Sequence, residues 1–294
     1  MKNVGIVSYA PRPLLVEAER RIIEPLWRRG AQVTAVDWRD SKVDWTRFDV
    51  VVLRAVWDYY HHFTEFTEWL DQVEQSGVRL YNAAPVIRWN MNKRYLADLS
   101  AAGISTVPTV FVEKEDWRPL TAILEENGWS HAVIKPIISA AGENTWRVTP
   151  ESLETADERF AQARQASFDG MMVQPFMKEV TQHGEYSFIF FNDSYSHCVL
   201  KKPAPNGFFV QAMYGGTSAR VEPSSALVSR ASDILRAARR ILRQSEPFVY
   251  ARVDALDIYD NLALMELELF EPYLFLEMDT YAAERLADAI ADRW

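Results

Sequence analysis

Strand and helix patterns alternate through the first part of the chain, and this order leaves few folds open. Apolar runs typical of strands and amphipathic runs typical of helices follow one another at Val4–Ser8, Leu14–Arg29, Gln32–Val36, Asp49–Leu53 and Thr64–Ser76. Because a helix that connects two strands of one sheet lets them lie side by side in the same direction, the pattern predicts a parallel, Rossmann-like unit.

The rest of the chain changes in character. A second unit begins near Trp89, with helices and short strands predicted at Asn92–Ala102, Thr106–Val112, Ala132–Lys135, Glu151–Gln165 and Met171–Gln174. In the last third, pairs of strands flank turns at Asn192–Ser194 and Tyr259–Asn261, which predicts two antiparallel hairpins. A helix is predicted after each hairpin, at Leu227–Gln244 and Tyr281–Asp292. The predicted fold class is therefore mixed, α/β followed by α+β.

Composition and charge exclude several classes of protein. The 294 residues include 41 acidic and 32 basic side chains, and the net charge of −9 disfavours nucleic acid as a partner, because phosphate neutralisation dominates such binding. Apolar runs such as Val50–Leu53 are far shorter than the ~20 residues of a membrane-spanning helix, and the N-terminal run is too short for a secretory signal. The single cysteine, Cys198, favours a reducing compartment. We therefore expect a cytoplasmic protein without a membrane partner.

Common phosphate-binding and hydrolase motifs are missing from the sequence. There is no G-x-x-x-x-G-K-[ST] loop, no G-x-G-x-x-G after a strand, no H-E-x-x-H and no G-x-S-x-G. Their absence removes the simplest interpretations as a P-loop protein, a dinucleotide-binding protein, a zinc protease or an α/β-hydrolase.

Carboxylates interrupt an apolar strand near the C-terminus. Glu266 and Glu268 stand at alternate positions of a predicted strand, so their side chains point to the same face. Burying two like charges is costly unless a cation compensates, and Asp254 on the other strand of the hairpin would supply a third oxygen ligand. Hard oxygen ligands suit Mg²⁺. The alternative is an exposed sheet face that carries acids at alternate positions, with Asp254 unrelated.

Lysines stand at the ends of several predicted elements. Lys135 ends an apolar strand just before the small-residue segment Ser139–Thr145, where backbone amides around Gly142 would cap phosphate oxygens. Lys93 begins a helix and Lys201 ends a strand. The alternative for each is a lysine whose ammonium simply reaches solvent.

These lysines and acids occur in an order that resembles the ATP-grasp superfamily over nearly the whole chain. The features shared with it are Asn92–Lys93, Val133–Pro136, Val173–Met177, Gly184–Ser187, Arg252–Asp254, Glu266–Glu268 and Glu271–Pro272. Within the superfamily, the chain is similar to the bacterial group that contains the cyclo-ligase forming the D-cycloserine ring, through Arg54–Tyr59, Trp89–Asn90, Lys201–Pro203 and Gly215–Gly216. The resemblance implies a Rossmann-like substrate subdomain at residues 1–88, a central ATP-grasp lid subdomain at 89–178 and a C-terminal antiparallel-sheet subdomain at 179–294.

The resemblance also implies how ATP would be bound. Lys93 and Lys135 would contact the phosphates beneath the loop around Gly142, and Glu185 would bind the ribose hydroxyls. The adenine would lie against a hinge, held by the side chain or carbonyl of Gln174 and by the backbone of Phe176 and Met177.

Metal binding and phosphoryl transfer fall to the C-terminal unit in this resemblance. Two Mg²⁺ ions, or alternatively Mn²⁺, would be held by Asp254, Glu266 and Glu268. Arg252 would stabilise charge on the transferring phosphoryl group, and Lys201 would approach the γ-phosphate.

Candidate substrate residues follow the strand DVVVL. Arg54, Trp57 and Asp58 lie at the carboxyl end of a predicted parallel strand, where α/β proteins bind ligands, and this combination suits an amino acid. The alternative is an internal Arg–Asp pair beside a core tryptophan. Phe209 stands where related sequences often carry an arginine, so we expect Arg220 or Arg54 to bind the substrate carboxylate.

The implied function is an ATP-dependent carboxylate–amine ligase. Such an enzyme would activate a small amino-acid-like substrate as an acyl phosphate and form a C–N bond, either between two molecules or within one, as in antibiotic ring closure. Related enzymes suggest a homodimer. The alternatives are a small-molecule kinase that stops after phosphoryl transfer and a non-catalytic nucleotide-binding protein.

Overall fold

The computed structural model describes residues 1–9, 15–259 and 261–294, which form three β-sheets with helices packed on them. The first residue of the helix predicted at Leu14 and the centre of the turn predicted at Asp260 lie outside these ranges. Among the described helices, none combines the length and the apolar character that crossing a bilayer requires.

The N-terminal sheet confirms the parallel, Rossmann-like prediction. Its strands are β1 (Lys2–Ser8), β2 (Ala31–Asp37), β3 (Val50–Ala55) and β4 (Arg79–Tyr81), in the order β2-β1-β3-β4. The helices of this region are α1 (Glu17–Arg20), α2 (Ile23–Arg28), α3 (Phe63–Gln75), α4 (Ala84–Asn90) and α5 (Tyr95–Ala101). The single helix predicted up to Arg29 is interrupted because Pro25 cannot donate to the carbonyl of Arg21 and its ring crowds that carbonyl.

The central sheet is antiparallel. Its strands are β5 (Val110–Val112), β6 (Ala132–Pro136), β7 (Trp146–Val148) and β8 (Met171–Pro175), in the order β5-β8-β6-β7. Helices α6 (Leu120–Asn127) and α7 (Ala156–Ala166) pack against it, and the short α8 (Glu179–Gln182) follows. The strand predicted at Thr106–Val112 is divided at Pro108, which lacks an N–H: Thr106 pairs with Leu264 instead, and only Val110–Val112 joins β8.

The C-terminal sheet contains both predicted hairpins. Its antiparallel strands are β9 (Glu185–Phe191), β10 (Ser194–Lys202), β11 (Thr217–Val221), β12 (Tyr250–Ile258) and β13 (Asn261–Glu268), in the order β11-β10-β9-β12-β13. Helices α9 (Ser225–Leu242) and α10 (Ala282–Ala291) accompany it. Short 3-10 helices lie at Trp45–Arg47, Tyr59–His62, Pro150–Thr155 and Ala212–Tyr214. Strand β11 was not predicted, because its sequence TSARV is mostly polar and exposed.

A β-bulge in β13 changes which residues face which side of the C-terminal sheet. Asp254 pairs with Glu266, but the next residue, Ala255, pairs with Leu264, so Met265 is the extra residue. Leu264 is therefore fully buried in the core, whereas Met265 and Glu266 both turn toward the opposite face. A regular strand cannot present two consecutive side chains on one face.

Polar groups join the N-terminal sheet to the C-terminal sheet. The Tyr250 hydroxyl lies 2.7 Å from the carbonyl of Leu53, 3.0 Å from that of Tyr81 and 3.1 Å from that of Phe270. The side-chain amide of Asn82 donates to the carbonyls of Tyr250 and Leu269, while its oxygen accepts from the amide of Val249. These bonds connect the ends of β3 and β4 to β12 and to the segment after β13.

We expect Tyr250→Phe to lower the free energy of unfolding by about 1–3 kcal/mol, because three buried carbonyls lose their shared donor. Urea unfolding followed by circular dichroism measures the change. Tyr259→Phe is the matched control, since Tyr259 is 100% exposed and its loss of a hydroxyl should leave stability unchanged. Equal stability of the two variants would contradict the proposed contribution of this junction.

Candidate active site

A cavity of about 710 Å³ lies between the central and C-terminal sheets. It is lined by every residue predicted to bind nucleotide or metal or to take part in catalysis: Lys93, Lys135, Gly142, Gln174, Phe176, Met177, Glu185, Lys201, Arg252, Asp254, Glu266 and Glu268. These residues come from both sheets and from the segments that connect them. The structure therefore brings this whole set together.

A second depression, of about 840 Å³, follows the C-terminal half of α9. Arginines line much of it, and none of the predicted site residues does. The residues for which the sequence predicts chemistry therefore line the smaller cavity.

Three carboxylates meet on the floor of the 710 Å³ cavity. Asp254, Glu266 and Glu268 each offer an oxygen, and these oxygens lie within 4.8 Å of one another. The register of β12 and β13 produces this cluster, because Asp254 pairs with Glu266 and Arg252 pairs with Glu268. Three hard oxygen ligands on rigid strands fit a divalent cation such as Mg²⁺.

Two cations of the C-terminal sheet hold the central acid of this cluster, Arg252 from the same strand, β12, and Lys201 from β10, which lies beyond β9. Arg252 donates to Asp254 from Nε at 3.0 Å and from Nη2 at 2.9 Å, and it also contacts Glu268. Lys201 bridges Asp254 at 3.1 Å and Glu185 at 2.6 Å. Burial alone would raise the pKa of Asp254, but the charges of Arg252 and Lys201 outweigh it and lower that pKa to about 2.

The acid at the end of β13 behaves differently. Burial raises the pKa of Glu268 to about 7, against the opposing charge of Arg252 and with a contribution from nearby Glu266. An additional cation bound beside Glu268 would stabilise the charged form of this carboxylate.

Two lysines approach the acids from the side of the central sheet. Lys93 lies 3.3 Å from Glu266 and donates to the carbonyl of Ser139, which ties it to the start of the small-residue loop. Lys135 also lines the cavity, but within the described part of the chain its ammonium makes no hydrogen bond or ion pair. Burial lowers the pKa of Lys135. An anion such as a phosphate, bound beside this buried ammonium, would stabilise its charged form.

The hinge region forms an apolar recess. Met177, Val180, Val210 and Met265 surround it, and Met265 reaches it through the bulge in β13. The side-chain amide of Gln174 donates to Thr109, and the backbone amide of Phe176 donates to the carbonyl of His131 at 2.9 Å. The amide of Phe176 is therefore engaged within the protein, and the predicted backbone contact of Phe176 with adenine would fall to its carbonyl.

The small-residue loop touches two other parts of the chain. A Cβ on Gly142, whose φ is +74°, would come within 3.0 Å of the Phe209 ring, which stacks on Tyr214. On the other side of the loop, Glu143 accepts a hydrogen bond of 2.5 Å from the Tyr60 hydroxyl. Glycine thus permits both the backbone conformation and the close approach.

The predicted substrate residues separate into two groups. Trp57 lines the cavity and donates to the carbonyl of Glu271. Arg54, however, is fully buried outside the cavity lining, with two hydrogen bonds of 2.7 Å to Glu19. Asp58 accepts from the indole of Trp38 at 2.8 Å and is likewise outside the lining. The predictions for Arg54 and Asp58 need correction, because internal partners already hold both side chains.

Arg220 also lies outside the cavity lining. Its guanidinium is 46% exposed and pairs with Glu222 at 2.8 Å and with Asp279 at 3.2 Å. The expected role in binding a substrate carboxylate therefore has no support from its position.

Sequence reasoning assigned no role to Glu271, which lines the cavity just beyond β13. Burial raises its pKa, and the neighbouring charge of Glu268 adds to the effect. The available signal was an acid in the apolar segment LFEPYLFL, the same kind of interruption that identified Glu266 and Glu268.

We expect Lys135→Met to weaken the binding of the Mg²⁺ complex of AMP-PNP by about 10- to 100-fold, because a charge-assisted contact to phosphate is lost. Isothermal titration calorimetry of the purified protein measures the affinity. Lys42→Met, which removes an exposed lysine distant from Lys135 in the sequence, serves as the control. Unchanged affinity in Lys135→Met would exclude Lys135 as a phosphate ligand.

Comparison with known proteins gives consistent matches. Residues 4–82 match the family model for the N-terminal domain of D-cycloserine synthetase DcsG. The chain is 30% identical over 296 aligned positions to the cycloserine biosynthesis protein DcsG of Streptomyces lavendulae, and the match covers 96% of this chain and 93% of that protein.

Solved structures agree with this. The crystal structure of D-cycloserine synthetase DcsG superimposes with a TM-score of 0.89 at 27% identity, covering 99% of both chains. D-alanine–D-alanine ligase from Bacillus anthracis, solved with ATP, matches with a TM-score of 0.69 at 16% identity, over 99% of this chain and 97% of that one. The second match shows the ATP-grasp fold and confirms the predicted fold class. The predicted reaction class, an ATP-dependent carboxylate–amine ligase, is confirmed by the matches to DcsG. The chain belongs to the D-cycloserine synthetase family of ATP-grasp enzymes.

Proposed function

We propose that this enzyme activates the carboxylate of a small amino-acid-like molecule with ATP and then closes a ring onto an amine of the same molecule. The observation that carries the proposal is the unpaired ammonium of Lys135 facing the cluster of Asp254, Glu266 and Glu268 across one cavity of the described chain. The family supports the ring-closing form, since its named member is a D-cycloserine synthetase. Joining two separate molecules is the alternative form of the same reaction.

The reaction proceeds in two transfers. A carboxylate oxygen attacks the γ-phosphorus of ATP, and the bond from that phosphorus to the β–γ bridging oxygen breaks, which releases ADP and leaves an acyl phosphate. The amine nitrogen then attacks the acyl carbon, the carbon–oxygen bond to phosphate breaks, and the nitrogen loses a proton. Positioning and charge neutralisation, rather than covalent catalysis by the protein, accelerate such steps.

The residues of the cavity fit these needs. Lys93 and Lys135 would bind phosphate oxygens, Glu185 the ribose hydroxyls, and the recess beside Met177 the adenine. Arg252 would neutralise charge that develops on the transferring group. Two Mg²⁺ ions, or Mn²⁺ in their place, would be held by Asp254, Glu266 and Glu268 and would supply further neutralisation of the phosphates.

Exclusion of water is the second requirement, because water hydrolyses acyl phosphates. The loop around Gly142 closes against Phe209 and is held by Tyr60 through Glu143. These contacts support a role for the loop as a cover over the bound phosphates. Action in the cytoplasm and without nucleic acid stays a prediction from composition and charge, and the homodimer stays a prediction of the resemblance.

Trapping with hydroxylamine tests the reaction. Purified protein is incubated with ATP, Mg²⁺, hydroxylamine and pooled D- and L-amino acids, and both ADP and hydroxamate are measured. We expect both products to appear together and to depend on the carboxylate, because hydroxylamine captures acyl phosphates. ADP with a stable phosphorylated product and no hydroxamate would indicate a small-molecule kinase. Nucleotide binding without turnover would favour a non-catalytic protein.

We expect Glu266→Gln to abolish this turnover, by at least about 100-fold, while the fold is retained, because a carboxylate ligand for the metal is lost. Circular dichroism checks the fold, and Glu154→Gln is the matched control at an exposed position. Near-normal hydroxamate formation by Glu266→Gln would contradict the assignment of this acid.

A further inference from the structure

One buried acid of the cavity has no partner among the described residues. Glu271 is 8% exposed and lines the cavity, yet its carboxylate makes no hydrogen bond or ion pair with any of them. The other acids that line the cavity have partners. Four pair with cations, Glu185 with Lys201, Asp254 with Lys201 and Arg252, Glu266 with Lys93, and Glu268 with Arg252, and Glu277 accepts a hydrogen bond from the Tyr273 hydroxyl. Glu271 is therefore the exception among the described acids of the cavity lining.

The position of Glu271 separates it from the candidate metal ligands. The group of oxygens that lie within 4.8 Å of one another consists of Asp254, Glu266 and Glu268 and does not include Glu271. Glu271 lies instead on the side of the cavity toward the N-terminal unit, where its backbone carbonyl accepts from the Trp57 indole at 2.9 Å. A carboxylate beside the metal cluster but outside it is available for an organic cation.

Two aromatic rings belong to the same cavity lining as this carboxylate. Trp57 and Tyr273 both line the cavity, and their ring centroids are 6.3 Å apart. Aromatic faces attract ammonium groups, and a desolvated carboxylate attracts them more strongly. Burial of an unpaired carboxylate is unfavourable, so a ligand cation at this position would remove a cost that the protein alone carries.

We propose that Glu271 binds an ammonium group of the substrate, distinct from the neutral amine that attacks the acyl carbon, and so restricts the enzyme to molecules that carry a free, charged amino group near the reacting carboxylate. This inference rests on the proposed function, because it concerns the molecule whose carboxylate is activated. It assigns substrate recognition to the residues next to the metal cluster, in place of Arg54, Asp58 and Arg220. Glu271 acts here as a specificity residue and takes no part in bond breaking.

The test compares amino acids with their deaminated counterparts. A pool of D- and L-amino acids and a pool of the corresponding acids without the amino group are assayed for hydroxamate with wild-type protein. We expect turnover with the first pool and at least about tenfold less with the second, because a charge-assisted contact is lost. Equal turnover with both pools would overturn the inference and leave the ligase function intact. Carboxylate-dependent turnover with neither pool would overturn the proposed function, and the inference with it.

Variants of Glu271 separate recognition from a structural role. We expect Glu271→Gln to raise KM for the active amino acids at least about tenfold, with Glu271→Asp recovering part of this loss because it restores the charge. Affinity for the Mg²⁺ complex of AMP-PNP, measured by calorimetry, should stay unchanged in both variants. A parallel loss of nucleotide affinity, or an unchanged KM in Glu271→Gln, would overturn the inference. Glu154→Gln controls for the change of an exposed glutamate.

Discussion

Acids can be packed closely at the floor of the cavity because cations of the same sheet lie between them. Asp254 is held between Arg252 and Lys201, and Lys201 continues to Glu185. The antiparallel register sets these distances, since Lys201 pairs with Glu185 across β9 and β10, and Asp254 pairs with Ser187, whose hydroxyl donates to it. The ligand-binding charges are thus oriented by the sheet before a ligand arrives, which is the preorganisation that phosphoryl transfer requires.

Much of this arrangement could be predicted from the sequence, because its signals are local. A parallel sheet follows from strands separated by helices, and hairpins follow from strands separated by short turns. An acid in an apolar strand is costly to bury unless a cation compensates its charge. The pattern of residues alone was therefore enough to identify Glu266, Glu268 and Asp254 as candidate metal ligands. Lys135 was recognisable for a similar reason, since it ends an apolar strand just before a loop of small residues.

Other features depend on relations that a single sequence does not display. The extra residue Met265 cannot be predicted from strict alternation along a strand. Because of this bulge, Met265 lines the hinge recess while the next residue, Glu266, joins the acid cluster. Arg54 is committed to Glu19, which lies 35 positions earlier on a short helix, and no local pattern reports such a pair. Glu271 stands in an irregular segment after β13, where neither helical nor strand periodicity says which way a side chain points.

The hydroxyl of Tyr250 and the amide of Asn82 have a mechanical consequence. These groups bond the N-terminal sheet to the C-terminal sheet at several backbone carbonyls. The two sheets together therefore form one side of the cavity, which carries the acids, Arg252 and Trp57. The central sheet forms the other side of the cavity. Its contacts with the C-terminal unit include the backbone pairing of Thr106 with Leu264 and the approach of the loop around Gly142 to Phe209. A ligand that contacts both Trp57 and the acids therefore meets two parts of one surface whose relative positions these hydrogen bonds already fix.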